Sequence, residues 1–162
     1  MKTFTITLIL MIASVVSVSA VSQTEVSDFL LNYTLLEKGD TMKVEADMIY
    51  ETTDCELTKI EQIQVKRFIG KFKRDTKNMT DLQKIAHAVK TISSTAEYEK
   101  GKRKLIDVLK GKTNCQGYAM MLHELMETAN IENELVITKD HIYNIIDGEK
   151  MDMTLLYSIY RR

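Results

Sequence analysis

Gly111-Lys112-Thr113-Asn114-Cys115-Gln116-Gly117-Tyr118-Ala119 is the stretch around which the chain is organised. Gly111 closes a short apolar helical segment (Leu105, Ile106, Val108, Leu109), and Asn114 is a strong N-cap residue, so a helix is expected to begin at Cys115. Behind the cysteine, Ala119, Leu122, Met126 and Ala129 recur at helical spacing, and Asn130 is a fitting stop. The thiol is thereby placed at the top of a buried face. It also sits at the positive end of a helix dipole, where a thiolate is favoured. Because the thiolate is the nucleophilic form, this position suits catalysis better than it suits a structural cysteine.

Two capping-box patterns lie upstream, Thr53-x-x-Glu56 and Thr80-x-x-Gln83. The first is expected to open a helix carrying Leu57, Ile60, Gln64, Phe68 and Phe72 as far as about Arg74. The second opens one with Leu82, Ile85, Ala86, Val89 and Ile92 on one face. Earlier still, Phe29 to Leu36 is apolar, Lys38-Gly39-Asp40 reads as a turn, and Met42 to Tyr50 alternates as an amphipathic strand. A polar loop runs through Glu97 and Gly101. Downstream of the cysteine the period changes. Glu134 to Thr138, His141 to Ile146 and Glu149 to Thr154 read as strands, and Asp147-Gly148 is a hairpin turn. The expected class is α+β: helices first, with the cysteine-bearing helix packed against a small antiparallel sheet.

That hairpin fixes which side chains meet. A two-residue loop at Asp147-Gly148 sets Ile146 opposite Glu149, Tyr143 opposite Asp152 and His141 opposite Thr154. With a side-chain period of two, His141, Tyr143 and Asp152 project from one face. His141 and Asp152 become diagonal neighbours, roughly 7 Å apart at the backbone. Cys115 is then the candidate nucleophile, His141 the base that takes its proton, and Asp152 the carboxylate that orients the imidazole. Backbone N–H groups at the helix start, that of Cys115 among them, are candidate oxyanion donors.

The blocks Cys115-Gln116-Gly117-Tyr118-Ala119, His141-x-x-Asn144 and Asp152-x-Thr154 resemble, in that order, the transglutaminase-like superfamily in its secreted bacterial form. The resemblance covers the second half of the chain well and the first half poorly. It implies a papain-like fold and a Cys115-His141-Asp152 triad, with Gln116, Gly117, Tyr118, Tyr143 and Asn144 as substrate-binding or supporting residues. It further implies acyl transfer at amide bonds, by hydrolysis or by protein cross-linking, on a protein or peptide substrate such as a cell-envelope peptide. Tyr143 stands where the family usually carries tryptophan, and Leu155 where an aromatic residue often follows the threonine. Those departures leave a second reading open, an idle domain of the same fold that serves as a protein-binding module.

The 162-residue chain is 44% hydrophobic and 28% charged with a net charge of -1, values that suit one domain and give no electrostatic case for nucleic acid. Met1-Lys2, the apolar run from Ile6 to Val18, and Val18-Ser19-Ala20 together read as a cleavable signal peptide over residues 1–20. The mature chain, 21–162 with its core at about 80–158, is then a single exported domain, secreted or held at the cell surface, with no membrane segment. Its two cysteines, Cys55 and Cys115, leave a disulfide as the competing assignment for an exported protein. His87 and His123 fall inside helices, and no ligand spacing suggests zinc or another cofactor.

Overall fold

A computed structural model describes residues 57–160. The signal-like segment, the apolar stretch at 29–36, the turn at 38–40, the strand expected at 42–50, and Cys55 lie outside the described residues. The chain proceeds through α1 (Lys59–Asp75), α2 (Asp81–Thr95), β1 (Glu97–Tyr98), α3 (Leu105–Leu109), β2 (Lys112–Thr113) and α4 (Cys115–Ala129). It ends with β3 (Asn133–Ile137), β4 (Ile142–Ile146), β5 (Glu149–Met151) and α5 (Met153–Tyr160). The class is α+β.

Helix α1 begins later than expected. Its N-cap is Thr58, whose hydroxyl accepts the Glu61 N–H while the Glu61 carboxylate accepts the Thr58 N–H. The capping box of this helix is Thr58-x-x-Glu61; the expected Thr53-x-x-Glu56 box lies outside the described residues, and the Glu61 carboxylate also accepts from Lys110 at 2.9 Å. This start corrects the buried stripe. Val65 and Phe72 are buried, with Phe68 and Ile69 packed beside them, whereas Ile60 and Gln64 face solvent. Helix α2 opens at the Thr80–Gln83 box as its sequence suggests, and it buries Ile85, Ala86, Val89 and Ile92.

Helix α4 is the axis of the molecule. Tyr118, Met121, Leu122, Leu125 and Met126 are fully buried against α2, α5 and the sheet. Its C-cap is Asn130 in the left-handed conformation, which Asn tolerates better than most residues. Two short strands missed in the sequence, β1 and β2, pair in parallel on the approach to the cysteine. Two-residue strands carry too little periodicity to be seen.

The sheet is an antiparallel meander, β3-β4-β5. Asp147 and Gly148 both have positive φ, 53° and 78°, which makes the two-residue turn type I′ and sets Ile146 opposite Glu149 as expected. The third strand is shorter than expected. It stops at Met151, and Met153 and Thr154 begin α5. Asp152 is consequently a helix cap, with its backbone carbonyl accepting from Leu155 and Leu156. Helix α5 sets its buried Leu156 and half-buried Tyr157 on the core, and that burial outweighs the strand-like alternation of a polar and two apolar residues.

Candidate active site

Cys115 is positioned from below by a set of hydrogen-bonded ties. Lys102 O accepts both the Asn114 N–H at 2.6 Å and the Thr113 hydroxyl at 3.1 Å, which anchors the cap to the preceding loop. Asn114 then caps α4 with its side-chain oxygen, accepting from the N–H groups of Gln116 and Gly117 at 3.0 and 3.2 Å. The Tyr118 N–H bonds to Asn114 O. Cys115 is the first residue of the helix, buried to 3% exposure, and carries a free thiol. Since the cap occupies the next two N–H groups, the Cys115 N–H is the helix-start donor that remains for an oxyanion.

His141 approaches from the turn that joins β3 to β4. Thr138 and His141 close that turn backbone to backbone at 2.8 Å, so His141 lies one residue before β4 rather than inside it. Its ring sits on the same face as Tyr143, with centroids 6.4 Å apart. His141 Nε2 meets Asp152 Oδ2 at 2.8 Å. The Cys115 side chain lies close enough to the imidazole to act on its charge. The Asp152 hydrogen bond and then the neighbouring Cys115 side chain push the His141 pKa up to about 10, against the opposing effect of partial burial. An imidazolium is therefore the prevailing form at neutral pH.

Asp152 is 5% exposed and engaged on every side. Its Oδ1 accepts the Thr154 N–H at 3.2 Å, an N-cap bond that fixes the carboxylate plane, while Oδ2 faces His141. Lys150 Nζ stands 3.6 Å from Oδ2 and 4.3 Å above the Tyr143 ring. The start of α5 thereby holds the carboxylate that meets the His141 ring. Sequence reasoning brought His141 to Asp152 by a diagonal across a hairpin. The structure reaches the same contact by ending the strand and starting a helix at Asp152. Lys150 is the neighbour that reasoning missed; its signal was its place two residues beyond the hairpin turn, opposite Ile145.

The supporting residues divide. A Cβ on Gly117 would stand 2.0 Å from Thr113 Oγ1 and 3.3 Å from Lys104 O, so this glycine serves close packing of α4 on β2. Tyr118 is fully buried, donates to Ala96 O at 2.8 Å and packs on Tyr157, which makes it a core pin. Gln116 is 1% exposed and bonded to the cap. Asn144 is fully buried on β4 and donates from Nδ2 to Ala119 O at 3.1 Å, cross-tying the sheet to the helix one turn below the thiol; its Oδ1 is buried without a hydrogen-bond partner. These four positions thus shape the core around the site. Tyr143, half-exposed beside His141 and Lys150, is the one of the five supporting positions open to a ligand.

The other two histidines are engaged elsewhere. His87 stacks on Phe72 at 6.0 Å, and His123 bonds the Asn133 side chain some two turns down α4. Among the described residues no group of three His, Cys, Asp or Glu side chains is placed to hold a metal ion, and no helix is long and apolar enough to cross a membrane. Comparison with protein-family models, with curated proteins and with solved structures found no match to this chain.

Proposed function

We propose that this protein is an exported cysteine acyl-transfer enzyme of the transglutaminase-like, papain-like kind, acting on amide bonds of a protein or peptide substrate. The observation that carries the reading is the His141–Asp152 hydrogen bond at 2.8 Å beside a free Cys115 thiol at the first position of its helix, close enough to act on the imidazole. In the first step the Cys115 sulfur attacks the amide carbonyl carbon, a C–S bond forms, and the carbonyl electrons move onto oxygen opposite the Cys115 N–H. The C–N bond then breaks as the His141 imidazolium gives its proton to the departing nitrogen, leaving a thioester and a neutral imidazole. Water or an amine next attacks the thioester while His141 takes its proton, and the sulfur leaves as thiolate. Asp152 holds the ring and balances its charge throughout.

The test uses incorporation of a fluorescent primary amine into casein and proteolytic release of labelled casein peptides as its two readouts. Cys115→Ala and His141→Ala abolish both, whereas Asp152→Asn leaves a residue of activity, reduced about 10²-fold or more. Full activity in the Cys115 variant would sink the assignment.

A further inference from the structure

Among the described residues the sheet meets the site along an unpaired edge. In the order β3-β4-β5, strand β3 is marginal, and among the described residues nothing pairs with its outer side. The hydrogen-bonded Thr138–His141 pair sets the alternation along the ladder. Val136 and Glu134 direct their backbone groups at Tyr143 and Ile145 of β4, while Leu135 and Ile137 direct theirs outward. Side chains of those two residues fall on the α4 side of the sheet. Leu135 packs against the cluster of Cys115, Ala119 and Ile142, and Ile137, opposite Ile142, remains 56% exposed. An unpaired edge and an exposed apolar side chain therefore adjoin the thiol's own cluster.

We infer that the outer edge of β3 is the docking strand for the substrate: an extended peptide that adds to the sheet through Leu135 and Ile137, with an apolar side chain against Ile137. This rests on the catalytic reading above and assigns its substrate class. Backbone pairing supplies affinity for any extended segment, and Ile137 supplies selectivity. Continuity with the Cys115 cluster brings the bound backbone past the nucleophile.

Ile137→Pro is the direct probe. Its N–H faces outward, so proline removes no internal hydrogen bond, and the preceding Val136 is already extended. Inactivation at Cys115 is followed by intact-protein mass spectrometry with two reagents, iodoacetamide and the peptidyl reagent benzyloxycarbonyl-Leu-Leu-chloromethyl ketone. The ratio of peptidyl to iodoacetamide rate falls about tenfold in Ile137→Pro, the effect of one lost backbone hydrogen bond. It falls comparably in the wild-type protein when the peptide amides of the reagent are N-methylated. A ratio unmoved by both changes overturns the docking strand, as does a concentration-dependent dimer that Ile137→Pro dissolves, since a second copy would then own the edge. Resistance of Cys115 to iodoacetamide itself, in the wild-type protein, overturns the catalytic reading and the docking strand with it. The two failures are thus told apart.

Discussion

At the scale of single residues, the charge on His141 is what the site controls most tightly. A histidine whose folded pKa lies near 10 binds its proton more firmly in the folded than in the unfolded chain, where the value is about 6.5. Its contribution to stability is full below pH 6.5, declines from there upward, and is lost as pH rises through 10. Urea unfolding at pH 6 and at pH 9.5 should show the wild-type protein weaker at the higher pH, with a smaller difference in His141→Gln. Equal slopes in the two proteins would place the effect elsewhere. Asp152→Asn should move the imidazole titration, followed by NMR of the ring C–H signals, toward its ordinary value, because the first cause of the upward shift is the Asp152 hydrogen bond. Gly117 makes the opposite point, that a residue of a chemical motif can serve packing alone. Gly117→Ala forces a Cβ into Thr113 Oγ1 and should cost about 1–3 kcal/mol in urea unfolding.

At the scale of elements, the site depends on two helix starts facing each other. Asn114 caps the helix that carries Cys115, and Asp152 caps the helix that follows the sheet. Asn114→Ala should cost about 1 kcal/mol by thermal or urea unfolding, and a loss near zero would mean that the Lys102 ties alone hold this turn. The cysteine helix was legible in the sequence because cap, apolar period and stop agree over Asn114 to Asn130, and local signals of that kind survive folding. So was the β4–β5 turn, since Asp-Gly supplies the two positive φ values that a two-residue loop demands. The start of α1 was less legible, because Thr58-x-x-Glu61 repeats the pattern of Thr53-x-x-Glu56, which lies outside the described residues, and a repeated pattern does not say where the helix begins. The end of β5 was not legible either. Asp152 through Leu155 alternate like a strand, and burial of Leu156 and Tyr157 on the core decides for a helix.

At the scale of the whole molecule, one helix core serves two tasks. Tyr118, Leu122 and Met126 knit α4 into the hydrophobic interior, while Cys115 at its first position is left facing the turn that holds His141. Asn144 ties the strand that follows His141 to the helix that bears Cys115 through its bond to Ala119 O. The central claim is that His141 activates Cys115. Its most direct test is the rate of carboxamidomethylation of Cys115 by iodoacetamide at neutral pH, followed by peptide mass spectrometry in the wild-type protein and in His141→Ala. The account predicts that the variant reacts at least about tenfold more slowly, because the imidazole that acts with the sulfur is gone. Equal rates in the two proteins would contradict it.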